Sequence, residues 1–539
     1  MRSRRGTRVA ALIATIAAAP LLLAACTGSP DSAAKGATLV RGGGAEPDSL
    51  DPQKARSFEA QSILRDLCEG LTTLDKHAGV APGVAGSWSV SRDGLSYEFH
   101  LRPEARWSNG DRVVAWDFVA ALVRLVDPAT ASGYAQYVDV IANASDIVAG
   151  RKPPDALGVA APDDSTLDIK LATPAPYLPA LLSHPCTCPV HRPTLLHHPE
   201  DFARPGVMVS NGAFVLQEWV SGAYILASRN HYYWNDAATR LDAVKYLLIP
   251  DENAELARYR AGQLHVTFTV PRGQFDWIKR HLADQLHVSP QLSTYYYGFN
   301  LRRAPFKDNP KLRRALSLVI DREKLAKLVL RVGELPAYGW VPHGVDNYTS
   351  QSFDYRELPM AERIAEAQRL YREAGYSPER PLVFELRFNS GEVHTKLALA
   401  VASMWKETLG AEAHLTQVEF KSLLQDIDRG DVQMFRSSWV GDYNDAYTFA
   451  QFLKSDSGVN LPHYSNPRYD SLLAGAAQLQ GPIERSALLE EAERVALADH
   501  PLIPLYFYVN KHLVKPEVLG WYNNIMNVVY SKDLALRAR

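Results

Sequence analysis

The chain has 539 residues, enough for about three to four domains, and 46% of them are apolar, which excludes a wholly disordered chain. Basic and acidic residues nearly cancel, 58 against 60. That balance lacks the positive excess that phosphate-backbone binding needs, so no nucleic-acid partner is expected.

In chain order, Arg2, Arg4, Arg5 and Arg8 form a basic start, and Val9–Ala25 is almost entirely apolar. This is the pattern of a signal peptide, residues 1–25, with an uncleaved membrane anchor as the other reading. Its end, Leu23-Ala24-Ala25-Cys26, resembles the lipobox of bacterial lipoproteins, in which the Cys26 thiol takes the lipid. Removing residues 1–25 leaves 514 residues and takes away four Arg and no acid, so the formal charge moves from −2 to −6. The expected product is a mildly acidic globule outside the cytoplasm, lipid-anchored to the cell membrane on its periplasmic side or at the cell surface. No later run reaches the ~18 apolar residues of a second span.

Residues 26–37 are small and polar and are expected to form a flexible tether. Structure is expected to begin with a short strand at Thr38-Leu39-Val40. Gly42-Gly43-Gly44 is no phosphate loop, because Gly-Lys occurs nowhere in the chain. Alternating runs at Ser96–Leu101 and Thr166–Leu171 predict strands, and Ala115–Val126 predicts an amphipathic helix. Residues 172–206, rich in Pro and His, read as an irregular connection. Asn309-Pro310 fits a helix start, followed by the stripe Leu312, Ala315, Leu316 and Val319. Ser390 opens another helix, with Val393, Leu397, Val401 and Met404 inward and Gly410 as the stop. Val432–Trp439 predicts a strand. The fold class is multidomain α/β.

Hydrolytic signatures are missing. There is no Gly-x-Ser-x-Gly elbow, and none of the sixteen His is followed by Glu, which excludes a His-Glu-x-x-His zinc motif. Asp442 and Asp445 could serve a glycosidase, although acid pairs at short spacing are common on surfaces. His184, Cys186, Cys188 and His191 form a compact group of soft donors, for which a metal site, a redox pair of Cys186 with Cys188, and an incidental loop all remain open. Cys68, after Leu67, reads as a small core residue.

The decisive constellation is distributed. It includes Glu46-Pro47-Asp48-Ser49-Leu50-Asp51-Pro52, Arg65-Asp66-Leu67-Cys68-Glu69-Gly70, Trp107-Ser108-Asn109-Gly110 and Trp116-Asp117-Phe118. Further on stand Ser210-Asn211-Gly212-Ala213-Phe214, Tyr295-Tyr296-Tyr297-Gly298-Phe299-Asn300, Trp439-Val440-Gly441-Asp442-Tyr443-Asn444-Asp445 and Tyr506-Phe507-Tyr508-Val509-Asn510. In this order they resemble the periplasmic oligopeptide-binding proteins of peptide ABC importers, extracellular solute-binding protein family 5.

The resemblance implies a large two-lobed, type II-like periplasmic-binding fold with an extra α/β domain inserted in the first lobe. Lobe I is expected to comprise 38–68, 193–293 and 510–539, the additional domain 69–192, and lobe III 294–509. It further implies a monomer without enzymatic activity, cofactor or metal. This monomer closes on short peptides and docks on the permease subunits of an importer.

By the same resemblance, Asp442 meets the peptide α-ammonium, and Arg436 and His394 are candidates for its carboxylate. Ser437-Ser438-Trp439-Val440 and Arg56-Ser57-Phe58 are expected to present strand edges to the peptide backbone. Tyr134 and Tyr296 match lining positions, or are simple packing. His394 also falls in the first turn after Ser390, where free N–H groups favour an anion. Several positions depart from the family pattern. Phe420 replaces a Trp, Ile427 stands where a second Arg is common (with Arg429 close by), Ala446 replaces Pro, and Val440 occupies a position that is Cys in some relatives. A cell-wall (murein) peptide receptor is the nearest alternative, and a secreted hydrolase a more distant one.

Overall fold

The computed structural model describes residues 36–538, so the signal peptide, Cys26 and most of the tether lie outside the described residues. Strand β1 (Thr38–Gly42) opens the fold, as the apolar Leu39 and Val40 require, and helix α1 (Phe58–Leu67) follows. Ser57 caps α1, its hydroxyl accepting the Ala60 N–H, as a Ser with extended backbone at a helix entry does. After a short antiparallel pair, Thr72–Leu74 with Val80–Pro82, come four longer strands: β2 (Ala85–Val90), β3 (Ser96–Leu101), β4 (Val159–Asp163) and β5 (Thr166–Lys170). Between β3 and β4 runs α2 (Ala115–Val126). The buried Asp117 of α2 accepts the Trp107 indole N–H at 3.0 Å and the Val114 N–H at 3.1 Å.

The chain continues through β6 (Phe214–Val220), β7 (Tyr224–Arg229), β8 (Ala243–Leu247) and the long β9 (Leu286–Phe299). Helix α3 (Pro310–Leu318) starts as expected, with the Asn309 side chain accepting the Leu312 N–H and Pro310 in the first turn. The last part holds β10 (Leu335–Pro336), β11 (Val383–Asn389), α4 (Glu392–Leu409), β12 (Glu412–Val418), α5 (Phe420–Asp428), β13 (Met434–Val440) and β14 (Leu502–Leu513). Helix α4 is capped by Gly391 rather than Ser390, and it ends at Gly410 in the left-handed conformation that spares glycine a Cβ clash.

Three sheets organise these elements. The first has the order β1-β8-β7-β6, with β1 and β8 parallel; the second is the antiparallel β2-β3-β5-β4. The third, β10-β14-β9-β13-β11-β12, is mixed. Strands β9 and β14 pair antiparallel along their length, with a register shift between Pro290 and Thr294. Their outer ends join the first sheet's neighbourhood: the Thr267 N–H donates to Leu513 O at 3.0 Å and the Lys515 N–H to His265 O at 2.8 Å. Their other halves lie in the middle of the third sheet, where Leu292–Phe299 is wholly buried. Two adjacent strands that run from one packed body into another, with a bulge between, can bend without losing either core.

Cys68 is not a free core residue. It is disulfide-bonded to Cys188 across 120 positions, tying the end of α1 to the segment after the second sheet. The redox pairing of Cys186 with Cys188 is thereby overturned, and Cys186 is a buried free thiol. The four soft donors do not converge. Cys188 is consumed by the disulfide, the His184 Nδ1 accepts the Cys186 N–H, and His191 faces Asp111 and Thr194. Among the described residues no group of three or more His, Cys, Asp or Glu could hold a metal ion, and no helix is long and apolar enough to cross a membrane.

A chain starting at residue 27 should therefore show one titratable thiol in denaturant and three after reduction, by colorimetric thiol assay. Cys68→Ala should lower unfolding free energy by about 2–5 kcal/mol in chemical denaturation, since it opens a long loop.

Candidate functional site

Strand β13 makes the site. On one side it pairs with β9 along its whole length, from Met434↔Phe299 to Val440↔Ser293. On the other side β11 pairs only with Met434 and Phe435. From Arg436 to Val440 that second edge is unpaired, leaving a row of backbone donors and acceptors open to an added strand. Val440 is 54% exposed there.

Beyond Val440 the chain turns at Gly441, whose N–H donates to Leu292 O at 2.8 Å. A Cβ at Gly441 would stand 2.5 Å from the Leu292 side chain, so only glycine permits this approach. The turn delivers Asp442 to a pocket of about 200 Å³ that Phe58, Arg65, Tyr134, His184 and Val440 also line. The Asp442 backbone is held by the Thr448 hydroxyl and by Tyr137, whose Oη donates to Asp442 O at 3.4 Å. Its carboxylate has no hydrogen-bond or ion-pair partner among the described residues. Water reaches that carboxylate through the open mouth, yet protein atoms crowd it, and this desolvation pushes its pKa up to about 6.

The roof of the pocket is aromatic. Tyr134 and Tyr137 flank the His184 ring at 4.8 and 4.9 Å. Burial drives His184 down to about 3, so it is neutral.

Arg436 sits six positions before Asp442 and is buried. Its guanidinium lies 4.5 Å over the Tyr295 ring and donates to Asn389 Oδ1 at 2.9 Å and Tyr508 Oη at 3.2 Å. No carboxylate pairs with it among the described residues, and its buried Nε has no hydrogen-bond partner. His394 stands in the first turn of α4, with Nδ1 3.3 Å from Tyr295 Oη, so both carboxyl-end candidates gather around one tyrosine. Burial, then the Arg436 charge, push His394 down to about 4. At neutral pH His394 is thus a neutral hydrogen-bonding group, and the fixed positive charge belongs to Arg436 alone.

Other expected residues fall differently. Arg56-Ser57-Phe58 is not a strand. The Arg56 and Ser57 N–H groups donate to Asp48, at 2.8 and 3.1 Å, and Phe58 already begins α1. The Asp48 carboxylate takes the N–H groups a strand edge would have offered, and what this segment presents is the exposed Phe58 ring, edge-on to Phe268. Tyr296 does not line the cavity. It is wholly buried, edge-on to Trp340 at 5.1 Å and to Phe452 at 5.7 Å, because strand alternation points it into the core.

The Trp439 indole likewise turns inward, donating to Thr448 O at 2.8 Å, so Trp439, like Ser438, offers mainly backbone to the open edge. Phe420 is half-exposed at the start of α5, outside the pocket around Asp442. Ile427 is buried, and Arg429 is engaged by Asp426 and Asp431, so neither supplies a second free guanidinium. Arg65, Tyr137 and His184 were not expected at the site. For Arg65 the signal was available, since Phe58, Ser62 and Arg65 share one face of α1 at helical spacing.

The sequence profile of the bacterial extracellular solute-binding proteins, family 5, matches residues 79–460. The chain is 38% identical over 522 residues to the periplasmic oligopeptide-binding protein OppA of Escherichia coli, covering 96% of each. It overlays the unliganded open form of MppA, a periplasmic murein tripeptide binding protein, with a TM-score of 0.87 at 36% identity, covering 94% of this chain and 99% of that one. Against Haemophilus influenzae OppA in complex with RPPGFSPFR the TM-score is 0.74 at the same identity, covering 94% and 100%. The architecture is the two-lobed periplasmic-binding fold with an extra domain. Its family binds solutes rather than transforming them, and the chain belongs to the bacterial extracellular solute-binding proteins, family 5.

Proposed function

We propose that this protein captures short peptides between its lobes by their termini and backbone and delivers them to the permease of an ABC importer. The observation that carries the reading is a pair of opposite charges, Asp442 and Arg436, each crowded by protein and each without a counter-ion among the described residues. A free peptide is the complementary object, with an ammonium at one end, a carboxylate at the other and amides between. Burying either protein charge alone is costly, so closure is favourable only around such a ligand. Asp442 takes the ammonium. Arg436 takes the carboxylate, with His394 as a neutral hydrogen-bonding partner. The open edge at Arg436–Val440 adds the ligand as a strand, which reads main chain and tolerates varied side chains. The four strand steps from Arg436 to Val440, about 13 Å, and the turn that delivers Asp442 set the scale of that ligand.

Within this class a cell-wall (murein) peptide is the favoured occupant, because both overlays on the murein tripeptide binding protein, with TM-scores of 0.87 and 0.76, are better than that on the OppA–peptide complex at 0.74. Comparing a murein tripeptide with ordinary tripeptides by calorimetry, each free and N-acetylated, separates the two readings. Lobe I comprises 38–68, 193–293 and 510–539, lobe III comprises 294–509, and 69–192 forms the additional domain. The protein acts as a monomer held at the membrane by lipid on Cys26.

Two outcomes test the site. Asp442→Ala should weaken short-peptide binding by at least ~3 kcal/mol, roughly 100-fold, as expected for breaking a buried charge pair. Unchanged affinity in calorimetry would remove Asp442 from the site. Affinity should also depend on pH with a definite sign. The free Asp442 carboxyl titrates at about 6 and must ionise to meet the ammonium, whereas the paired carboxyl of the complex titrates lower. Binding therefore approaches full strength above about pH 7 and should fall about tenfold between pH 7 and 5, with the protons released on binding rising from near zero toward one as the pH falls through that window. His394, at about 4, does not titrate there. Asp442→Asn should flatten the profile.

A further inference from the structure

The pocket beside Asp442 is charged on both walls. Against the single carboxylate stand three guanidiniums, Arg41, Arg56 and Arg65. Arg41 is the best compensated. Its Nη1 donates to Val529 O at 3.1 Å and Ser531 Oγ at 2.9 Å, and its charge acts on the buried Asp66. Arg56 and Arg65 are much less engaged. Arg56 Nη2 donates to Ala131 O at 3.2 Å, and Arg65 Nη1 donates to Ser183 O at 3.3 Å.

Neither of these two pairs with a carboxylate among the described residues. Asp48, the acid beside Arg56, is occupied by the N–H groups of Arg56 and Ser57 and by the Ser57 hydroxyl. A guanidinium carries five N–H donors, so both arginines keep most of theirs unused, while the backbone carbonyls fix where the groups stand. Arg65 is on α1 and Arg56 on the turn before it. They thus belong to the wall that faces β13 across the cleft, and Asp442, displaced by desolvation alone, is not their partner.

We propose that Arg56 and Arg65 make this receptor select ligands with a carboxylate side chain close to their amino end. This deepens the reading of the preceding section and rests on it. When the lobes close, water leaves the pocket, and a neutral or cationic ligand side chain would strand two guanidiniums without a counter-ion. A carboxylate receives their N–H groups in the forked geometry that arginine offers. The wall opposite Asp442 thus demands an acid one or two residues beyond the ammonium that Asp442 holds.

The test is calorimetry with the amide-for-acid pairs Ala-Glu-Ala against Ala-Gln-Ala and Glu-Ala-Ala against Gln-Ala-Ala, which differ in charge but hardly in shape. In the wild-type protein the acid should bind about tenfold or more tightly than its amide in at least one pair. In the Arg56→Gln/Arg65→Gln double variant that ratio should fall to within about twofold, with binding of the amide peptides reporting that the variant is folded. Ratios near one in both wild-type pairs, or a preference that survives in the double variant, would overturn the proposal. If the amide peptides bind and the acids gain nothing, only this inference fails. If none of the four binds while a murein tripeptide does, this inference fails alone; if the murein tripeptide does not bind either, the peptide-capture reading fails with it.

Discussion

One strand carries a guanidinium at its third position and hands a carboxylate to the turn that follows it, and neither charge has a counter-ion in the described protein. Residues 434–440 are therefore the element on which the site depends. The strand is rigid because β9 pairs with all of it and the Tyr296, Trp340 and Phe452 rings pack beneath that pair. It remains available because β11 leaves it after Phe435. A fully paired strand could carry the same charges but could not receive a ligand backbone. An unsupported strand could not hold two desolvated charges a fixed distance apart.

The rest of the fold builds the opposite wall, which meets the segment after β13 where Tyr177 stacks on Tyr443 and Tyr447 and Asn444 donates to Ala78 O at 3.1 Å. The disulfide between Cys68 and Cys188 and the ion pair of Arg124 with Asp51 bind the additional domain to the body that carries α1. Gln53 reinforces the same joint by donating to the carbonyls of both Cys186 and Cys188. Only β9 and β14 run from that body into the third sheet as paired strands, and their register shift lies beside Gln291 and Leu292, which themselves line the pocket. Closure and ligand contact are thus adjacent in the chain. The two walls come from different parts of the chain, so the pocket sets one carboxylate among arginines that are not its partners. Those charges need not satisfy each other, because the ligand brings the complementary groups.

Much of this was legible in the primary structure. Helix starts at Asn309-Pro310 and at Ala115, the stop at Gly410 and the strand before Asp442 follow from capping chemistry and from the 3.6- and 2-residue periods, which are local properties. The family pattern named Asp442, Arg436 and His394, and these do come to one strand and the tyrosine beside it. The misreadings share a cause. Cys68 does lie in a hydrophobic core, but its disulfide went unread because its partner lies 120 positions away. Arg56-Ser57-Phe58 looked like a strand edge because Asp48, which takes its N–H groups, acts through side-chain geometry. Tyr296 and Trp439 were placed near the ligand by position in a motif, but strand alternation and the Thr448 carbonyl turn them into the core.

What the residue order alone determined is the identity of the charged groups and of the elements that carry them, since propensity, capping and alternation act within a few residues. What the tertiary structure decided is the state of those groups. His394 is neutral because burial and Arg436 act on it together, and Asp442 stays half-ionisable near pH 6 because protein crowds its carboxylate while water still reaches it. Arg65 joins the cleft because α1 turns that face toward β13. Desolvation and pairing depend on which distant segments pack around a residue, and those neighbours are set only once the chain has folded.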